Sequence, residues 1–411
     1  MIRTLFMLTF DNLCYIIYCM KKYVLRTVKL ISLFLVLILS CLFLQNFVLC
    51  HIDHNKLRMD GFYLEDENSL DVVFTGASEL YTGWSPGLAY EKFGFTSYPY
   101  STASITAGAA LTQIKEIERT QNPKLIMIEI NPFIYPDDRN EKNEGSIRNF
   151  IDPIPLNQNK IEYIEEINPE NKEEYYFPLI KYHSTWDEYP GGLKFLGALL
   201  VQHIRGYTLL KGYKTNIGKC DNNDEFINQR LIADNTEADL TEYSEQKLRE
   251  LLEYCRDNDI NISFFRAPHL EREIDYESFC MANRVGKIVN SYGYDFINFE
   301  HDPVTMSYKP ELYYNIQHLN AYGSAMFTEY LGQIIVDKYG VGKTKLTEAQ
   351  ESRWEEAADY YHQFYKCCDD LLQEVDEYSP PYLTDDNGVL INNLIEIEED
   401  MDGTAQIKKH N

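Results

Sequence analysis

The chain has 411 residues, 45% of them hydrophobic and 14% aromatic, enough for one large core or two modest ones and too much for a disordered polymer. The formal net charge is −26; the first 50 residues hold Arg3, Lys21, Lys22, Arg26 and Lys29 against Asp11, a surplus of four that leaves −30 for the remainder. A surface this acidic, with no basic stripe, has no means of displacing counterions from a phosphate backbone, which argues against nucleic acid as a partner.

Leu5 to Met20 contains Asp11 and Asn12 and is too short and polar to span a bilayer alone, and Met20-Lys21-Lys22 has the form of an alternative start. Leu30 to Leu49 is a run of 20 uncharged residues, which as a helix covers roughly 30 Å of hydrocarbon. No small-x-small cleavage site follows it, so an anchor is favoured over a cleaved leader. Basic residues precede the span and Asp53, Asp60, Glu65, Asp66 and Glu67 follow it. The positive-inside rule then puts residues 1–29 in the cytoplasm and the domain from residue 51 onward outside the cell membrane.

From residue 71 short apolar strands alternate with amphipathic helices, the pattern of a parallel sheet in an α/β fold. Strands are predicted at Asp71–Thr75, Lys124–Ile130, Asn261–Arg266 and Asp295–Phe299. Helices are predicted at Ile105–Arg119, Tyr243–Asn258, Glu271–Tyr292 and Ala321–Tyr339, the last capped by Asn320. Residues 134–240 break the rhythm with Pro, Asn, acids and tyrosines and read as an insertion in a domain of residues 51–340. Residues 341–376 read as an acidic helical extension docking through Trp354, Ala357, Tyr361 and Phe364, and residues 377–411 as a flexible acidic tail. The nine cysteines form no C-x-x-C pair and lack metal-ligand spacing, so neither a metal nor another cofactor is expected.

Two blocks carry candidate chemistry. The first strand ends at Gly76-Ala77-Ser78-Glu79, placing a serine in a tight turn beyond the strand tip. Asn315-Ile316-Gln317-His318-Leu319-Asn320 precedes the last helix and offers a histidine from the same sheet edge. A serine hydroxyl is too weak an acid to attack an ester unaided, so a histidine within hydrogen-bond reach must take its proton. The bland readings stand beside this: Ser78 as a helix cap, and His318 as a hydrogen-bonded loop residue. His183, Trp186 and Asp187 read as packing and surface residues, His51 and His54 as a solvated juxtamembrane stretch, and Tyr175-Tyr176-Phe177 as packing beneath a loop.

Five stretches in order resemble the SGNH (GDSL-like) hydrolase superfamily, and more closely its membrane-anchored surface branch of teichoic-acid D-alanyl transfer and alginate O-acetylation proteins. They are Val73–Pro86 (VFTGASELYTGWSP), Thr96–Ala103 (TSYPYSTA), Pro123–Phe133 (PKLIMIEINPF), Tyr182–Tyr189 (YHSTWDEY) and Tyr314–Leu331 (YNIQHLNAYGSAMFTEYL). The resemblance covers roughly residues 25–365. It implies a three-layer α/β/α sandwich with a flavodoxin-like sheet, and an acyltransferase or esterase acting on a cell-surface polymer. It further implies Ser78 as nucleophile, His318 as base, an oxyanion hole from Ser78, Ser101 and Asn131, and a multi-pass membrane-bound O-acyltransferase as partner. Two positions depart from the family pattern. Asn315 replaces the aspartate three residues before the histidine, and Ser101 replaces a glycine. Loss of that carboxylate opens a rival reading, a catalytically silent relative that binds the polymer or scaffolds acyl transfer. It also makes Glu300 and Asp302 the nearest candidates to reach the imidazole instead.

Overall fold

Residues 2–45, 53–182, 190–220, 225–374, 395–399 and 405–409 are described in a computed structural model of the chain. Helix α1 (Ile2–Phe43) is continuous, and its segment Met20–Phe43 is long and apolar enough to cross a membrane. That segment begins earlier than the span read from the sequence. Lys21, Lys22, Arg26 and Lys29 fall in its first half. Helix α2 (His54–Phe62) follows, capped by Asp53, whose carboxylate accepts the Lys56 N–H at 2.9 Å.

The chain then builds β1 (Val72–Gly76), α3 (Ser78–Gly83), α4 (Pro86–Phe93), β2 (Ser97–Ser101), α5 (Ala107–Thr120) and β3 (Leu125–Glu129). Where the insertion was expected, short helices run from α6 (Asp137–Lys142) through α7 (Glu144–Ile151), α8 (Gln158–Ile167), α9 (Lys172–Tyr176), α10 (Pro178–Lys181) and α11 (Pro190–Arg205) to α12 (Asn228–Leu231). The alternation resumes with α13 (Glu242–Asp257), β4 (Ile262–Arg266), α14 (Tyr276–Ser291) and β5 (Asp295–Asn298). A small hairpin of β6 (Tyr313–Asn315) and β7 (His318–Leu319) leads into α15 (Ala321–Tyr339) and α16 (Glu348–Glu374). Within the segment read as a tail, β8 (Ile395–Glu399) and β9 (Ala405–Lys409) pair antiparallel.

The molecule is an α/β protein with a five-stranded parallel sheet in the order β2-β1-β3-β4-β5. Strand side chains alternate between two cores. Val73, Ile126, Ile128 and Phe264 join a cluster with Ile114 and Ile117 of α5, Leu248 and Leu252 of α13 and Val285 of α14. Val72, Phe74, Leu125, Met127 and Phe265 join another with Leu80 of α3 and Phe327, Leu331 and Ile335 of α15. Strand β2 is the one the sequence reading did not anticipate. Its SYPYS composition is polar for a strand and includes Pro99, which an edge position tolerates because one side of the strand needs no ladder donor.

The chain visits β2 on one side of β1 and β3 on the other, so successive connections diverge at β1. The carboxyl edge at such a divergence is the place where open α/β sheets collect ligands.

Candidate active site

Strand β1 delivers the serine. Gly76 turns with φ +145°, and Ser78 opens α3 two residues on, half-buried at the sheet edge. This turn needs glycine for two reasons: L side chains rarely adopt that φ, and a Cβ there would meet the Cβ of Glu129 at 2.6 Å. The Ser78 N–H is a first-turn donor, one of those for which a helix provides no acceptor of its own.

The histidine comes from the β6-β7 hairpin, which is fastened from several directions. Cys220 N–H donates to Tyr313 O at 2.7 Å, Leu270 N–H to Ile316 O at 2.8 Å, and Asn320 N–H to Leu312 O at 3.0 Å. Asn320 is fully buried and caps α15 as expected, its side-chain oxygen accepting from the N–H groups of Tyr322 and Gly323. Its amide also donates to Gly218 O and Glu311 O, tying the end of the insertion to the hairpin. Gly323 permits the close approach of α15, since a Cβ there would lie 2.2 Å from Leu312 O.

These elements bring Ser78, His318 and Asn315 together. His318 Nε2 lies 2.7 Å from Ser78 Oγ, and His318 Nδ1 lies 2.8 Å from Asn315 Oδ1. The surrounding bonds decide the tautomer. Asn315 Oδ1 also accepts the backbone N–H groups of Gln317 and His318, each at 3.0 Å, so the amide oxygen, not the NH₂, faces the ring. An acceptor on that side demands a proton on Nδ1, which leaves the Nε2 lone pair for the serine hydroxyl. Asn315 therefore orients the ring as an aspartate would, without its charge. Desolvation holds the proton affinity of His318 below that of an ordinary histidine; Glu79 opposes this, while His269 and Arg139 add to it. The ring is a neutral base at neutral pH.

Ser101 ends β2 opposite Gly76, and Asn131 opens the 3₁₀ turn after β3, so both stand at the carboxyl edge on strands flanking β1. The backbone of Ser101 is braced from behind by Arg58, whose guanidinium donates to Ser101 O at 3.0 Å and stacks over the Tyr81 ring at 3.6 Å. The Asn131 N–H is engaged: it donates to both carboxyl oxygens of Glu129, at 3.1 and 3.0 Å. Any donor from Asn131 to a ligand must come from its side chain.

Neither alternative carboxylate reaches the imidazole. Glu300 Oε1 accepts from Arg266 Nε and His269 Nδ1, each at 2.7 Å. Asp302 accepts from Val304 N–H at 2.7 Å and from the Tyr330 hydroxyl at 2.7 Å. The carboxylate nearest the serine is instead Glu79, with Oε2 3.4 Å from Ser78 Oγ. Glu129 is fully buried, and burial raises its proton affinity well above the carboxylate range, with the Glu79 charge adding to the rise.

His269, Glu271 and Glu300 form a buried group whose ligand atoms all lie within 4.8 Å of one another. A metal fits it poorly, because the cationic Arg266 already shares the Glu300 carboxylate. Burial disfavours ionisation of Glu300, but Arg266 and then His269 outweigh it and bring its pKa down to about 2. Burial and then the Glu300 charge push the proton affinity of Glu271 well up.

The sequence reading passed over Glu79, Glu129, Arg266 and His269. A signal existed for two of them, since Glu129 and Arg266 are charged ends of largely apolar, wholly buried strands. His183, Trp186, Asp187 and His51 lie outside the described residues. Tyr175 packs beneath the Arg148 guanidinium, 4.0 Å from its ring centroid. Comparison with protein-family models finds no match for the chain, and comparison with curated proteins finds none either.

Proposed function

We propose that the chain is a membrane-anchored, extracytoplasmic SGNH-like O-acyltransferase or esterase acting on a cell-surface polymer. The observation that carries this is the 2.7 Å contact of Ser78 Oγ with His318 Nε2, made while Asn315 Oδ1 holds the opposite ring nitrogen. In this reading Ser78 Oγ attacks the acyl carbonyl and its proton passes to His318 Nε2. The alcohol leaves with that proton as the carbonyl–oxygen bond breaks, giving an acyl-serine. A polymer hydroxyl, or water, then attacks the acyl-serine as His318 takes its proton, and Ser78 is released when the proton returns. The amides of Ser78 and Ser101 and the side chain of Asn131 surround the developing oxyanion. No cofactor is needed for this chemistry.

The strand order 2-1-3-4-5 and the two cores support a three-layer, flavodoxin-like sandwich. Helix α1 serves as the anchor, with the N-terminus in the cytoplasm, and a multi-pass membrane-bound O-acyltransferase supplies the acyl group. The rival is a silent relative that binds the polymer or scaffolds the transfer complex; the neutral Asn315 is the observation in its favour.

A fluorophosphonate probe separates the two readings. The full-length chain in detergent is expected to label covalently, and Ser78→Ala to abolish the label. An unlabelled wild-type chain leaves the silent relative, and a label that survives Ser78→Ala removes Ser78 from the mechanism.

A further inference from the structure

The proposed reaction creates a positive charge on His318 each time Ser78 gives up its proton, and Asn315 cannot balance it. Ser78 Oγ has two acceptors, His318 Nε2 at 2.7 Å and Glu79 Oε2 at 3.4 Å. The Glu79 carboxyl therefore lies no more than about 6 Å from Nε2, the nitrogen that receives the proton.

We propose that Glu79 is the carboxylate that offsets the imidazolium, acting from the serine side of His318 where the Asn315 side is neutral. This rests on the Ser78/His318 reading above and adds a positioning and charge-balancing residue to it.

Three features of the surroundings favour the role. Glu79 is buried, so water screens its charge little. It belongs to the first turn of α3 and is held one residue from the nucleophile. Glu129, fully buried with both oxygens on the Asn131 N–H, feels the Glu79 charge. Burial and the Glu79 charge both raise the proton affinity of Glu129.

The groups facing this charge are Glu129 from β3, Tyr81 from α3, Tyr135 after β3, His269 after β4 and His318 itself. Arg139 from α6 faces His318 and opposes its protonation. Its guanidinium is stacked over Tyr135 at 3.7 Å and donates to Ser104 Oγ at 2.8 Å. The Glu79 charge raises the His318 proton affinity against the desolvation that lowers it.

The test uses the full-length chain in detergent and the rate of fluorophosphonate labelling from about pH 5 to about pH 9. Glu79→Gln is expected to slow labelling by about 10- to 100-fold. It should also move the acid limb of the rate profile to lower pH, because removing an anion makes His318 harder to protonate. Adding Asn315→Asp to Glu79→Gln restores a carboxylate on the other ring nitrogen, and is expected to recover the rate and raise the midpoint. Glu79→Gln with the wild-type rate and midpoint would overturn the assignment while leaving Ser78 and His318 standing. So would a slow Glu79→Gln chain with an unmoved midpoint that Asn315→Asp fails to rescue, which would make Glu79 purely structural. Wild-type protein that does not label, or labelling that persists in Ser78→Ala, sinks the reading beneath both.

Discussion

Two histidines at the carboxyl edge of the sheet divide between them the parts that one catalytic triad would combine. His269 has a carboxylate, with Nδ1 2.7 Å from Glu300 Oε1, and no nucleophile: its Nε2 is buried without a hydrogen-bond partner among the described residues. His318 has a serine on Nε2 and only an amide oxygen on Nδ1. The Glu300 charge is committed to Arg266, and that guanidinium is fully buried at the end of β4, where an uncompensated cation would be severely destabilising. At His318 nothing permanently charged sits on the ring, so a neutral partner suffices to orient it. In the proposed reaction, the difference separates charge that holds the fold together from charge that is needed only while a proton is in transit.

The largest effect expected from breaking this contrast is on the His269 side. Glu300→Ala removes the carboxylate 2.7 Å from the buried Arg266 guanidinium, leaving it Glu271 at 3.7 Å, and is expected to cost about 3–5 kcal/mol in urea unfolding, without touching Ser78. A loss below about 1 kcal/mol would show that water reaches Arg266 and that the two histidines differ less than the geometry says.

On the other side, the His318 hairpin depends on uncharged hydrogen bonds. Asn320→Ala removes the α15 cap and frees two carbonyls, with an expected loss of about 1–2 kcal/mol in the same experiment. Its labelling rate should fall more than its stability alone accounts for, because the hairpin that aims His318 loosens.

The smallest effect is a slope with pH. Glu129 and Glu271 bind protons more tightly folded than unfolded, so the stability they contribute is complete below the unfolded value of about 4.5 and is lost as pH rises through their folded values. Glu300 runs the other way: its contribution is present above about 4.5 and is lost as pH falls toward about 2. His269 and His318, both lowered, add to the loss on the acid side below about 6.5, where the unfolded chain takes up protons first. Glu271→Gln mimics the protonated acid and is expected to flatten the alkaline decline in melting temperature; an unchanged decline would assign the proton elsewhere.

Much of the frame was legible from local pattern. The runs VVFT, KLIMIEI and NISFFR announced buried parallel strands, and α15 begins at the residue that the Asn320 cap predicted. The pair Ser78 and His318 was legible as candidates, because a strand-tip serine and a pre-helix histidine each have a short sequence signature. Strand β2 was hidden by its tyrosines and Pro99, since an edge strand draws its pairing from a neighbour and not from its own composition.

What the sequence determined by itself is whatever depends on residues a few positions apart: an apolar N-terminal helix, alternating strands and helices, a glycine turn ahead of Ser78, a cap ahead of α15. Tertiary structure alone decided which distant groups share a proton. Ser78 meets His318 across 240 positions, Asn315 offers its oxygen because two backbone N–H groups claim it, and Glu300 is spent on Arg266 while Glu79 stands beside the serine. The physical reason is that hydrogen bonds and charge pairs act over a few ångströms of space, whatever the separation along the chain, so their partners exist only once the sheet has brought its edge together.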